Sequence, residues 1–82
     1  MPERKLSEMR IGEQGRIKAL DLASPEKLFE MGFLPGSRVR IKQIAPLGDP
    51  LHVVVEGYDI ALRKEEAEWV SVELENENIA YT

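Results

Sequence analysis

The sequence has no cysteine, a single histidine and only five aromatic residues among its 82 amino acids. Without cysteine, the chain can form no disulfide framework and offers no thiolate zinc site and no cysteine nucleophile. The absence also fits a reducing compartment. No apolar run follows the basic residues near the N-terminus, so we expect neither a signal peptide nor a membrane-inserted segment. These absences predict a cytoplasmic protein.

Residues that carry out catalysis are scarce as well. His52 is the only histidine, and three of the four serines, Ser7, Ser24 and Ser37, lie where turns and caps use them. A nucleophile and base pair would need His52 beside one of these serines, together with a third orienting group. The glycines mark turns and form no phosphate-binding loop between a strand and a helix. We therefore expect a protein that is not an enzyme.

Metal ligands are equally sparse. His52 and Glu56 would share one strand face, but four residues along a strand separate them by roughly 13 Å. The acidic run of Glu65, Glu66 and Glu68 is typical of a solvated turn. Iron and zinc sites need several converging ligands, so we expect no metal site and no cofactor within one chain. A weak homodimer that brings two copies of His52 together stays open as an alternative.

Charge is distributed unevenly. Residues 1–42 hold nine basic and six acidic residues, whereas residues 43–82 hold two and nine, and the net charge is −4. Net acidity argues against a nucleic-acid-binding protein, because such affinity rests on neutralising phosphates. Arg38, Arg40 and Lys42 nevertheless alternate along one predicted strand and would form a basic stripe. Nucleic-acid binding through this stripe is an alternative function.

Hydrophobic alternation with a period of two dominates the rest of the chain and predicts mainly β structure. One short helix is expected over residues 25–31, with a β-bulge near Gln43 and Ile44, where the alternation slips. Ile17 and Ala19 are expected on the same strand face. Five short strands favour a small SH3-like barrel over an OB-fold, because closure removes exposed edges. The strands are predicted over residues 14–20, 38–45, 51–56, 58–63 and 70–74. Residues 1–75 would form this single domain, and residues 76–82 a disordered tail.

Residues typical of turns and helix ends separate the predicted elements. Ser24 is expected to cap the helix, with Pro25 in its first turn. Gly32 suits a left-handed C-cap, and Phe33 supplies the apolar contact that accompanies such caps. The segment Leu34-Pro35-Gly36-Ser37 fits a type II turn, in which Gly36 adopts a positive φ. Gly57 predicts a tight hairpin between the third and fourth strands.

Apolar residues within these turns are the strongest functional signal. They either plug the ends of the barrel or form a hydrophobic groove for a partner's apolar segment. Proline would rigidify such a groove and lower the ordering cost of binding. The predicted partner-binding residues are Leu28, Met31, Leu34, Pro35, Gly36, Pro46, Leu47, Gly48, Asp49, Pro50 and Leu51.

Several landmarks in order resemble the FeoA family over about residues 6–74. They are Gly12 and Gly15, then Leu28-Phe29-Glu30-Met31-Gly32-Phe33 before Pro35-Gly36, Ala45-Pro46-Leu47-Gly48-Asp49-Pro50, Gly57, Ile60-Ala61-Leu62-Arg63 and Glu66-Ala67. The resemblance implies an SH3-like barrel and a role in bacterial ferrous iron uptake. It further implies a cytosolic accessory protein whose partner is a membrane ferrous iron transporter with a GTPase domain.

Overall fold

A computed structural model describes residues 2–75, which form six strands and three short helical segments. The elements in chain order are β1 (Glu3–Lys5), a 3₁₀ turn (Leu6–Glu8), β2 (Gln14–Leu20), α1 (Glu26–Glu30), β3 (Arg38–Ile44), β4 (Leu51–Val55), β5 (Tyr58–Leu62), α2 (Lys64–Ala67) and β6 (Val70–Leu74). The mainly β fold predicted from the sequence is confirmed. The predicted tail at residues 76–82 lies outside the described residues.

The six strands form one antiparallel sheet in the order β1-β6-β2-β3-β4-β5. The sequence predicted five strands, and β1 is the one that it missed. This strand has only three residues, all polar, and therefore shows no hydrophobic alternation. It forms because it pairs with β6, where Arg4 lies opposite Val72. The amide of Leu74 also donates a hydrogen bond to the carbonyl oxygen of Pro2 at 2.9 Å.

One hydrophobic cluster forms the core, and five of the six strands contribute to it. Since β5 lies at one end of the sheet and β6 near the other, the sheet must curl for their side chains to meet. Alternate residues of β3, β4 and β6 are buried, as the period-two alternation in the sequence predicts. The buried residues are Leu6, Met9, Ile17, Leu28, Phe33, Val39, Ile41, Leu51, Val53, Val55, Leu62, Ala67, Val70, Val72 and Leu74.

Two bulges interrupt the pairing. In β2 the register with β6 shifts between Ile17 and Ala19, so Ile17 is buried while Ala19 is exposed. The prediction that these two residues share a face was wrong, because a bulge inserts one residue and reverses the alternation after it. In β3 the register with β4 shifts between Ile41 and Gln43, which places the bulge slightly before its predicted position.

Helix α1 ends as predicted but begins differently. Its N-cap is Pro25, which offers no side-chain hydrogen bond, so the predicted cap by Ser24 was wrong by one residue. At its other end Gly32 has φ +100°. The amide of Gly32 donates to the Phe29 carbonyl and that of Phe33 to the Leu28 carbonyl, both at 3.1 Å. These two bonds define a Schellman motif, and they direct the buried Phe33 back onto the core.

Candidate docking surface

The turn between α1 and β3 is firmly anchored. The amide of Ser37 donates to the Leu34 carbonyl at 2.9 Å and Gly36 has φ +93°, which confirms the predicted type II turn. The amide of Gly36 also donates to the carbonyl of Ile17 in β2 at 2.7 Å. The Arg16 guanidinium donates to the Gly36 carbonyl at 2.9 Å. Leu34 is therefore presented to solvent by a backbone fixed on two sides.

The loop between β3 and β4 is a second compact turn. The amide of Gly48 donates to the Ala45 carbonyl at 2.7 Å, and the amide of Ala45 donates to the Pro50 carbonyl at 3.1 Å. Its third fixed point is the Asp49 carboxylate, which accepts a hydrogen bond from the backbone amide of Lys64 in α2 at 3.1 Å. The loop is thus held against α2 while its tip extends into solvent.

The predicted partner-binding residues fall into three groups by exposure. Leu28 and Leu51 are fully buried and belong to the core, so they offer no surface to a partner. Met31, Gly48 and Pro50 are half-buried. The exposed members are Leu34, Pro35, Gly36, Pro46, Leu47 and Asp49. The apolar surface of this set therefore comes mainly from Leu34, Pro35, Pro46 and Leu47, whose side chain is 97% exposed.

The two turns are tied to different parts of the fold. The α1–β3 turn is bonded to β2, and the β3–β4 loop is bonded to α2. Within residues 2–75 no hydrogen bond joins one turn to the other. The structure consequently describes two separately anchored apolar corners.

Sequence reasoning left Phe29 out of the predicted surface. This ring is 59% exposed on α1, next to the fully buried Leu28. Adjacent helical positions are about 100° apart, so a residue beside a buried one points away from the core. That spacing is the signal that identifies Phe29 as an exposed apolar residue.

The predicted basic stripe is largely neutralised by acidic side chains of the same chain. Arg38 lies 3.5 Å from the Glu75 carboxylate, and Lys42 lies 3.3 Å from that of Asp59. Arg40 is the one member of the stripe that forms no ion pair with another residue in the described range. Internal pairing lowers the positive potential that a phosphate backbone would meet.

Residues 2–75 contain neither a metal-binding cluster nor a membrane-spanning helix. No group of three or more histidine, cysteine, aspartate or glutamate residues in this range is arranged to hold a metal ion. His52 is exposed on β4, opposite Ala61 of β5. No described helix has the length and apolar character needed to cross a membrane.

An ion pair connects the two α-helices. Lys27 of α1 contacts one carboxylate oxygen of Glu66 in α2, and the other oxygen accepts a hydrogen bond from the Arg63 amide at 3.0 Å. The hydrogen bond from Lys27 is the main cause that lowers the pKa of Glu66 below its usual value. A cleft of about 540 Å³ lies against this bridge, and Trp69 forms part of its wall.

Residues 4–74 match the FeoA domain family. The chain belongs to the FeoA family. The resemblance seen in the sequence is thereby confirmed over nearly the whole described part of the chain, and the SH3-like barrel expected from it is the fold that the structure shows.

Three relatives illustrate the family. The Fe(2+) transport protein A/Fe(2+) transporter FeoB fusion protein of Porphyromonas gingivalis is 34% identical over 76 residues, or 90% of this chain. The chain spans only 9% of that protein's length. Iron(II) transport protein A of Clostridium thermocellum is 42% identical, with a TM-score of 0.78 over 92% of this chain and 46% of that one. FeoA of Stenotrophomonas maltophilia, a prokaryotic SH3 domain protein solved with zinc, is 33% identical, with a TM-score of 0.74 over 85% and 89% of the two chains.

Proposed function

We propose that this protein is a cytoplasmic, non-enzymatic interaction module of ferrous iron uptake. It docks on the cytosolic GTPase part of a membrane ferrous iron transporter and modulates transport. The apolar corners at the α1–β3 turn and the β3–β4 loop form the contact surface.

The observation that carries this proposal is the fusion in the Porphyromonas gingivalis relative. There a homologous segment is covalently joined to an Fe(2+) transporter. Joining two modules in one chain replaces an encounter in solution by a high effective concentration, which is useful when the modules bind each other. In either arrangement, fused or separate, an FeoA domain would contact the transporter through its own surface.

The rigidity of the two corners supports their role as that surface. Leu47 is 97% exposed on a loop with three hydrogen-bonded anchor points, and Phe29 is 59% exposed on a capped helix. Apolar side chains held at fixed positions lose little conformational entropy when a partner covers them. Complete burial of such a side chain is worth about 1.5–3 kcal/mol before the costs of association are subtracted.

The test is co-purification of the tagged protein with the transporter from membranes of the same organism, in a detergent that preserves GTP binding. We expect the transporter to be enriched with the wild-type protein. Leu47→Asp places a charge at the centre of the proposed contact, so enrichment should fall at least about tenfold. The matched control is Leu22→Asp, since Leu22 is equally exposed but lies in the β2–α1 loop, outside the proposed surface.

The outcome of this pair of variants decides the proposal. Loss of the transporter with Leu47→Asp alone supports both the partner and the surface. Equal retention by both variants would remove the β3–β4 loop from the surface. Failure of the wild-type protein to enrich a folded transporter would reject docking altogether.

Neither alternative function gains support strong enough to be proposed beside this one. Two of the three cations of the basic stripe are paired within the chain. The zinc in the Stenotrophomonas maltophilia structure belongs to that protein.

A further inference from the structure

The cleft beside α2 contains the only tryptophan of the sequence. Trp69 is half-buried, and its ring packs against the hydrophobic core on one side. Its backbone is fixed, because its amide donates to the Glu66 carbonyl at 3.2 Å and its carbonyl accepts from the Asp21 amide at 2.8 Å. The indole N–H, in contrast, has no hydrogen-bond partner among residues 2–75 and is not sealed from solvent.

Carboxylates line the same cleft as this indole. Asp21, Glu65 and Glu68 all line the cleft, and none of them forms an ion pair with another described residue. Glu66 also lines it, but Lys27 neutralises that charge. Unpaired carboxylates beside an accessible aromatic face are the two features that attract a cationic side chain.

We propose that this cleft binds an arginine side chain on a peptide segment of a protein partner. The guanidinium stacks on the accessible part of the Trp69 ring, and its forked N–H groups donate to Glu65 or Glu68. The indole N–H donates to a carbonyl oxygen of the segment's backbone. Arginine suits this arrangement better than lysine, because its flat guanidinium can stack and form two parallel hydrogen bonds at once.

Two cations also line the cleft and restrict what can enter it. Lys5 and Arg63 leave the cleft with a net charge of −1 once the Lys27 and Glu66 pair is set aside. Lys5 and Arg63 would therefore repel a densely basic segment. The arrangement favours one arginine among uncharged or acidic neighbours. An isolated cation can then enter, while Lys5 and Arg63 donate hydrogen bonds to carbonyl or carboxylate oxygens of the segment.

This proposal does not depend on the transporter, because it concerns a different surface and is tested with peptides. Three acetylated and amidated pentapeptides, Gly-Ser-X-Ser-Gly with X as arginine, lysine or glutamate, are titrated into the ¹⁵N-labelled full chain. The single tryptophan gives one indole N–H resonance, which reports directly on the cleft. We expect a saturable shift with the arginine peptide at millimolar concentrations, and binding about two- to fivefold weaker with the lysine peptide.

Variants connect the shift to the cleft. The double variant Glu65→Gln/Glu68→Gln should weaken arginine binding about four- to tenfold while leaving the fold intact, because both side chains are exposed. Glu73→Gln removes an exposed carboxylate of β6 that does not line the cleft, and it should leave binding unchanged. Trp69→Phe should retain the core packing but lose the hydrogen bond from the indole N–H to the backbone of the peptide. The backbone amide shifts of α2 then report its weaker binding of the arginine peptide.

Four results would overturn the proposal. The first is no saturable shift with the arginine peptide up to about 50 mM. The second is an equal response to the glutamate peptide, which would identify Lys5 and Arg63 as the binding groups. The third is an unchanged affinity in the Glu65→Gln/Glu68→Gln variant. The fourth is equal binding of lysine and arginine, which would refute the stacked guanidinium.

Discussion

Replacement of Gly36 by valine tests the turn that presents Leu34. Gly36 has φ +93°, and a Cβ atom at this position would meet no heavy atom within 4 Å. The Cβ atom of a substituted residue therefore has no steric conflict with its neighbours. Whatever stability is lost comes from the backbone conformation alone, since a β-branched residue strongly disfavours positive φ.

The expected loss of stability in Gly36→Val is therefore the cost of the backbone conformation. Holding a non-glycine residue in such a region costs on the order of 1–3 kcal/mol. A domain of this size has a total stability of about 4–11 kcal/mol at 0.05–0.15 kcal/mol per residue. Each kcal/mol shifts the Tm of a domain of 60–100 residues by roughly 4–8 °C. Gly36→Val should therefore lower the Tm by at least about 4 °C.

Thermal unfolding followed by circular dichroism measures this shift, and Gly36→Asn is the matched control. Asparagine tolerates positive φ at the third position of a type II turn better than any β-branched residue, so it should lose clearly less stability. If the valine and asparagine variants melt together with the wild-type protein, the positive φ of Gly36 is not required and the rigid turn is refuted.

Three further predictions concern the core and the ion pair between the helices. Gly15→Ala should destabilise the fold by about 1–3 kcal/mol, because its Cβ would lie 2.3 Å from the Glu73 carbonyl oxygen and force β2 away from β6; urea denaturation checks this. Leu28→Ala should cost about 2–5 kcal/mol in the same assay, since the side chain is fully buried. The lowered pKa of Glu66 means that its ionised form stabilises the fold above the unfolded pKa of roughly 4.3 and loses that contribution as pH falls through the lower native pKa. Urea midpoints measured between pH 7 and pH 3 should therefore fall less steeply in Glu66→Gln than in the wild-type protein, and parallel curves would contradict the bridge to Lys27.

Local signals predicted most of this fold because each had a distinct physical cause. The range of β2 was predicted to the residue, since its alternation is bounded by turn-forming residues. Gly32 and Gly36 were placed at positive φ because a helix end and a type II turn each require that conformation. The hairpin at Gly57 is a two-residue loop, because Val55 pairs with Tyr58.

Two of the errors arose where long-range pairing decides the local structure. Strand β1 has no apolar alternation and exists only through its partner β6. The exposure of Ala19 depends on a bulge against β6 that residues near Ala19 do not signal. Neither feature has a local cause, so neither could be read from a short window of sequence.

The candidate surfaces show most clearly the difference between features with a local cause and features set by long-range pairing. Leu47 and Leu51 are four residues apart in one turn-rich segment, yet one is 97% exposed and the other 1%. The difference is set by pairing, because Leu51 lies opposite Leu62 in the sheet, whereas Leu47 lies at a loop tip before β4 begins.

The cleft beside α2 needs still more of the fold. Its wall combines Asp21, which directly follows β2, with Glu65, Glu68 and Trp69. The Trp69 carbonyl oxygen accepts a hydrogen bond from the Asp21 amide. In the sequence, Glu65 and Glu68 are typical of a solvated acidic turn, and Trp69 follows that turn. Only the placement of α2, which is linked to α1 through Lys27 and Glu66 and to the β3–β4 loop through Asp49, turns them into a concave site. A sequence can therefore supply the chemistry of such a cleft without indicating that the cleft exists.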